Sequence, residues 1–227
     1  TVDSGNDAAE EGTQMHLAAE KEDLDLLDTE EQKAEVKKAL DYIASVKAGY
    51  GDRILEIHKE RSVRIGIIKK TGKLDVLHVH KPEFKWLEIF DFKFGRLEVT
   101  PADKSLQLAC YVVGMFDEFP EAENVKVHII APRTDHVSSF VYTRAMVPAV
   151  HMRIRATIDR LFDPFKIPDG HTPALCEKCA NTARCPEMAG SALALAKCLG
   201  LPMPSDFDLG MASRVTPEDR MRCQILA

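Results

Sequence analysis

The segment Lys85–Arg96, with the sequence KWLEIFDFKFGR, combines a strongly apolar stretch with an acidic and a basic residue near its end. Side chains alternate between the two faces of a β-strand, so Asp91 and Lys93 share one face and the phenylalanines of the segment share the other. A buried charge is costly unless it is paired or bound to a metal ion. The segment is therefore either a strand that ends in an ion pair or one that presents a metal-binding carboxylate beside a catalytic lysine.

The composition suits one domain with a sizeable hydrophobic core and a small appendage. The chain has 227 residues, of which 45% are hydrophobic and 29% are charged. It contains no apolar run of the ~20 residues that a membrane helix needs and no recognisable signal peptide, so we expect no membrane partner. The net charge of −6 disfavours a non-specific polyanion binder but not a nuclease, whose metal-binding carboxylates add negative charge. Because the chain begins with Thr1 rather than Met, we expect upstream residues to be missing.

Hydrophobic patterning predicts an α/β protein with an antiparallel meander, a crossover helix and a further strand. The predicted strands are residues 54–68, 74–80, 86–94 and 124–132, with an edge strand at 138–142 and a turn at 70–73. After a frayed segment 1–11, a first helix is predicted to open at Gly12. A second begins at Thr29, which forms a capping box with Gln32, and ends near Gly49 and Gly51. Further helices are predicted at 103–117, 147–162, 189–199 and 216–227.

A second carboxylate precedes the opening segment by one predicted strand. If strand 74–80 pairs with strand 86–94, Asp75 lies near Asp91, and two carboxylates in an apolar sheet need a cation between them. Mg²⁺ takes oxygen ligands of this kind, and His16 would add a nitrogen ligand that suits Mn²⁺ as well. Such an ion supports phosphodiester hydrolysis by lowering the pKa of bound water. Lys93 would hold that water, help to deprotonate it or neutralise the developing charge.

Four short motifs follow one another along the chain: Gly12-x-x-x-His16, Gly72-x-x-Asp75, Asp91-x-Lys93 and Gln107-x-x-x-Tyr111. In this order they resemble the PD-(D/E)xK nuclease superfamily, and within it the RecB-like exonuclease branch. The chain is similar in particular to an uncharacterised phage and prophage group with a C-terminal cysteine cluster, with which it shares Gly95-Arg96, Val99, Gln107-Leu108 and Pro132-Arg133. The resemblance implies a restriction-endonuclease-like mixed sheet flanked by helices. It also implies a metal-dependent DNA exonuclease used in DNA end processing, recombination or repair.

The resemblance also implies a role for each motif residue. Mg²⁺ or Mn²⁺ would be bound by His16, Asp75, Asp91 and the main-chain carbonyl of Phe92. Lys93 would be the catalytic lysine, and Gln107 and Tyr111 would contact DNA or orient Lys93. Taken alone, His16 is more often an ordinary surface or core histidine, and the order of the motifs reverses that preference. Tyr111 taken alone would be a core aromatic. His78 and His80 alternate away from Asp75 and are interpreted as structural, while Glu20 and Glu60 are candidates for the outer shell of the site.

The cysteines suggest a second metal centre near the C-terminus. Cys176-x-x-Cys179, followed by Cys185, is typical of a zinc or iron–sulfur site. The resemblance implies a [4Fe–4S] cluster held by these three cysteines and one upstream cysteine, with Zn²⁺ as the alternative. No cysteine precedes Cys110, which is predicted to be a core residue. The fourth ligand is therefore a cysteine upstream of Thr1 or Cys198, or else the cluster is incomplete. The expected organisation is a nuclease core at 1–165, a cysteine-rich clasp at 166–200 and a helical tail at 201–227.

Basic residues near the predicted site are expected to hold DNA by its backbone in a salt-sensitive manner. They are Lys69, Lys70, Lys73, Lys81, Lys85, Arg96 and Arg133. Lys69 and Lys70 are better interpreted as a solvated turn face, and Arg96 is the best candidate for a phosphate contact. The resemblance further implies a strand-annealing or recombination protein as a partner and a location in the cytoplasm of a bacterial host. The competing interpretation is a catalytically inactive or zinc-stabilised DNA-binding or scaffold module on the same fold.

Overall fold

A computed structural model describes residues 4–96 and 99–162 of the chain. Within these residues, five strands form one mixed sheet in the order β1-β2-β3-β4-β5. The strands are β1 Ile54–Ile65, β2 Lys70–His80, β3 Trp86–Phe92, β4 Asn124–Ala131 and β5 His136–Thr143. The helices are α1 Ser4–Lys21, α2 Glu30–Tyr50, α3 Leu106–Glu118 and α4 Val147–Phe162. The predicted mixed sheet with flanking helices is confirmed.

Strand β3 lies at the centre of this sheet. It pairs antiparallel with β2 on one side and parallel with β4 on the other. Parallel neighbours need a long crossover connection, and α3 provides it. Strands β1 and β5 pair antiparallel with β2 and β4 and form the two edges. The predicted meander, crossover and edge strand are therefore present.

Each face of the sheet carries its own apolar core. One core joins Leu87 and Ile89 of β3 to residues of α3 and α4. The other joins Phe90 and Phe92 to Met15 of α1 and to residues of α2. This division follows from strand alternation, which sends odd-numbered and even-numbered residues of β3 to opposite faces. Asp91 therefore emerges on the same side as Leu87 and Ile89, which α3 covers. The crossover helix is thus placed to cover the carboxylate.

Helices α2 and α3 show how local sequence fixes these elements. In the capping box that begins α2, Gln32 N donates to Thr29 Oγ1 at 3.2 Å and Thr29 N donates to Gln32 Oε1 at 3.1 Å, as predicted. Gly51 ends α2 with a φ of +57°, which favours glycine. Gly114 allows α3 to approach β1, because a Cβ atom there would lie 2.6 Å from the carbonyl oxygen of Arg64.

Two local predictions were wrong. Helix α1 begins at Ser4 rather than Gly12. Glu11, which was predicted to lie in a frayed segment, is helical and pairs with the distant Arg133. The turn predicted at 70–73 belongs to β2, and the connection between β1 and β2 is the 3₁₀ turn Gly66–Ile68. Gly72 serves packing instead of a turn, since a Cβ atom there would overlap the ring of Tyr111.

The predictions for the C-terminal part of the chain lie outside the described residues. These include the cysteine ligands Cys176, Cys179, Cys185 and Cys198, the helices at 189–199 and 216–227, and the clasp and tail boundaries; all stay predictions. Among the residues that the structure describes, no helix is both long and apolar enough to cross a membrane.

Candidate active site

The pairing of β2 with β3 brings the two predicted aspartates to the same end of the sheet. Val76 is the register partner of Phe90, and Asp75 and Asp91 are the next residues outward on the two strands. Asp75 Oδ2 accepts a hydrogen bond of 2.6 Å from the backbone N–H of Phe92. The strand pairing on which the predicted site depended is therefore present, and Asp75 is held in place by the chain segment that carries Asp91.

Helix α1 adds His16 to this end of the sheet. Its Nδ1 atom lies 3.3 Å from Asp75 Oδ1, and its ring packs edge-on against Phe94 with 5.1 Å between ring centroids. Burial alone would lower the pKa of His16, but the hydrogen bond to Asp75 and the charges of the surrounding carboxylates raise it overall. The neighbouring carboxylates thus stabilise the protonated form of the His16 imidazole.

Strand β1 supplies a third group, Glu60, which sequence reasoning placed only as an outer-shell candidate. Ligand atoms of His16, Glu60 and Asp75 all lie within 4.8 Å of one another. Glu60 has a φ of +52°, a conformation that costs a non-glycine residue about 1–3 kcal/mol and often marks a functional position. Its carboxylate also pairs with Lys73. No spacing rule in the sequence indicates this placement, since it depends on the local backbone of β1.

On the α3 side, Asp91, Lys93, Gln107 and Tyr111 form one hydrogen-bonded network. Lys93 Nζ lies 2.7 Å from Asp91 Oδ2 and donates to Gln107 Oε1 at 2.9 Å. The Gln107 amide donates to Asp91 Oδ1 at 3.2 Å and to the Tyr111 hydroxyl at 2.9 Å. Because Gln107 and Tyr111 are one helical turn apart, α3 presents both to the strand. Gln107 therefore holds both members of the Asp91–Lys93 pair.

The electrostatics of Asp91 are unusual for an aspartate. Burial raises the pKa of Asp91 to about 6; Lys93 opposes this rise, and the nearby charge of Asp75 adds to it. The side chain is only 6% exposed. A second cation beside the two aspartates would relieve the cost of ionising Asp91 in this position.

The donor set at this end of the sheet fits a hard divalent cation. Asp75 and Glu60 offer carboxylate oxygens, His16 offers a nitrogen, and these ligand atoms are already clustered. Oxygen ligands with one imidazole suit Mg²⁺ and Mn²⁺. Asp91 lies next to this group, close enough for its pKa to respond to Asp75 and His16. Phe92 contributes its N–H to Asp75, whereas metal binding by its carbonyl stays a prediction.

The predicted basic residues do not all face this site. Arg133 is only 7% exposed and forms ion pairs with Glu11 of α1 and Glu35 of α2. Its prediction as a site cation was therefore wrong; a guanidinium with two carboxylate partners of its own joins helices instead. Arg96, by contrast, is 70% exposed, with Glu31 3.8 Å away. It remains accessible to a phosphate group.

Comparisons with known proteins bear on the family rather than the activity. No curated protein matches the chain. Among solved structures, the one titled "Crystal structure of SSO0001" is 16% identical, with 77% of this chain and 80% of that chain covered and a TM-score of 0.32. A family model described as "Protein of unknown function (DUF2800)" matches residues 28–198. The chain therefore belongs to the DUF2800 family.

Proposed function

We propose that the chain is a metal-dependent deoxyribonuclease of the PD-(D/E)xK type, with a RecB-like, restriction-endonuclease-like core. The observation that carries the proposal is the joining of the predicted motif residues into connected contacts. His16 contacts Asp75, Asp75 accepts the N–H of Phe92, and Gln107 links Asp91 with Lys93. A purely structural ion pair between Asp91 and Lys93 would not require the additional carboxylates or the histidine at the same strand ends.

Each residue has a distinct task in this proposal. Asp75, Glu60 and His16 would hold a Mg²⁺ or Mn²⁺ ion next to Asp91. The ion would supply an acidified water molecule and stabilisation of negative charge on the phosphate. Lys93 lies with its ammonium fixed between Asp91 and Gln107, where it would orient the attacking water and offset charge on the scissile phosphate.

Substrate binding would rest on the DNA backbone rather than on the bases. Arg96 follows β3 directly and remains largely exposed, so it would contact a phosphate beside the site. Backbone contacts of this kind weaken as salt rises. We propose DNA end processing in recombination or repair as the use of this activity, with a strand-annealing or recombination protein as the partner.

The proposal is tested by incubating purified protein with labelled linear duplex and single-stranded DNA in the presence of Mn²⁺ or Mg²⁺. We expect degradation by the wild type and a loss of about 100-fold or more in Lys93→Ala, because the variant lacks the only ammonium in the network. Lys37→Ala is the matched control, since it removes an exposed lysine of α2 that pairs with Asp41.

The outcome separates the proposal from its rival. Equal degradation by wild type and Lys93→Ala would show that the activity comes from elsewhere. DNA binding without cleavage under every metal condition would instead indicate an inactive binding or scaffold module. Including closed circular DNA distinguishes exonuclease from endonuclease action.

A further inference from the structure

A second cluster of ionisable residues lies on the opposite face of β3 from Asp91. Glu88 precedes Asp91 by three positions, and its side chain is fully buried. His78 and His80 of β2 and His128 of β4 surround it, and all three are buried. A carboxylate within a hydrophobic interior needs partners that offset the loss of water.

One oxygen of Glu88 has such partners. Oε1 lies 2.8 Å from His128 Nε2 and accepts a hydrogen bond of 3.2 Å from the Tyr50 hydroxyl. The other ring nitrogen of His128 lies 3.0 Å from the Tyr42 hydroxyl, and Lys126 Nζ lies 3.7 Å from the same Glu88 oxygen. Helix α2 and strand β4 thus fix the orientation of the carboxylate.

The other oxygen faces two histidines without bonding to either. Oε2 lies 3.8 Å from His78 Nδ1 and 3.8 Å from His80 Nε2. These separations exceed hydrogen-bond length, and all three atoms are buried without a hydrogen-bond partner. Leaving three strong polar groups unsatisfied in one place is unfavourable. A cation among them would satisfy all three together.

The strand geometry favours such a cation. His78 and His80 are two positions apart and therefore project from the same face of β2. Glu88 is the direct cross-strand partner of His78. Two imidazoles and one carboxylate form a ligand set that commonly binds zinc. A carboxylate that binds a metal is usually hydrogen-bonded itself, as Glu88 is to His128.

We propose that His78, His80 and Glu88 form a second metal site, which takes a first-row transition ion of the Zn²⁺ class. His128 and Tyr50 position Glu88 from the outer shell. The site ties β2 to β3 beneath α2. It is separate from the proposed nuclease centre and does not rest on nuclease activity. Its ligand atoms are less tightly clustered than those of the His16 group, so binding draws the two imidazoles toward Glu88.

The test is zinc stoichiometry and thermal stability of full-length protein stripped with EDTA and titrated with Zn²⁺. The wild type and His78→Gln/His80→Gln share the proposed nuclease centre and every cysteine, so those sites cancel in the comparison. We expect the double variant to bind one equivalent less and to lose the corresponding zinc-induced rise in Tm. The matched control, His136→Gln/His151→Gln, should bind as the wild type does.

Identical stoichiometry and identical stabilisation in the wild type and the double variant would overturn the proposal. If the double variant does not fold, the wild type alone tests the site through its imidazole ¹⁵N spectra. Imidazole ¹⁵N spectra should then show Zn²⁺-dependent changes at His78 and His80. Unchanged signals at both residues with saturating Zn²⁺ would contradict the site and leave a buried hydrogen-bonded cluster in its place.

Discussion

Asp91, a residue of the candidate site, carries a cost to the stability of the fold. Its carboxyl group is buried beside Asp75, and its pKa is raised to about 6 from an ordinary value of 3.8. Below pH 4 the group is protonated in both the folded and the unfolded chain. Between pH 4 and pH 6 the unfolded chain loses the proton more readily, so the folded state becomes relatively less stable as pH rises.

We therefore expect Asp91→Asn to gain stability relative to the metal-free wild type as pH rises from 4 to 7. The relative gain in unfolding free energy should reach up to about 3 kcal/mol, from about 1.4 kcal/mol per pKa unit. Urea denaturation in EDTA across this range measures it, with Asp41→Asn as the control for loss of one exposed negative charge. A difference that does not change with pH would contradict the prediction. Mn²⁺ should stabilise the wild type more than the variant.

At this scale, the sequence predicted some residues of the candidate site and not others. Asp75, Asp91 and Lys93 were identifiable because strand alternation and motif order are visible in one dimension. Glu60 was identifiable only as an outer-shell candidate, because its proximity to His16 depends on a left-handed backbone conformation within β1. The cluster around Glu88 was also not predicted. Strand alternation shows that His78 and His80 face away from Asp75, but it does not show which residues they face.

At the scale of elements, two helical glycines separate the effect of packing on stability from the effect of helix propensity. Gly114 of α3 lies against the backbone of β1, whereas a Cβ atom at Gly12 of α1 would meet nothing within 4 Å. The two glycines therefore form a matched pair within helices. The same reasoning explains the missed start of β2, where Gly72 signals a turn in the sequence but makes room for Tyr111 in the fold.

We expect Gly114→Ala to destabilise the protein by about 1–3 kcal/mol, because the backbone of β1 cannot move aside as a flexible side chain would. Gly12→Ala should instead stabilise it by about 0.5–1 kcal/mol through helix propensity alone. Urea denaturation midpoints measure both. A stabilising effect at both positions would show that α3 does not pack against β1 as described.

At the scale of the whole molecule, topology was more predictable than the contacts that join its parts. The meander, the crossover helix and the later strands follow from periodicity and from short or long connections. The contacts of Glu11 in α1 do not, because its partners Arg133 and Gln32 lie much later in the chain. Such contacts unite α1, α2 and the turn after β4, and no local pattern encodes them.

The parallel pairing of β3 with β4 also has a consequence for the order of folding. Strand β3 meets β2 through a short connection, but it meets β4 only after the whole crossover has been synthesised. The backbone N–H of Lys93 donates to Ile130 of β4 at 2.9 Å. A growing chain can therefore form the hairpin of β1 and β2 while its lysine still lacks this anchor.

Pulsed hydrogen exchange during refolding should accordingly protect the amides between β1 and β2 before those between β3 and β4. Simultaneous protection of both sets would contradict this order. If the order holds, a ribosome-bound or prematurely terminated chain that ends before β4 carries the acidic residues of the proposed site while Lys93 still lacks its bond to Ile130. The proposed activity would then arise only after the chain has been synthesised beyond β4.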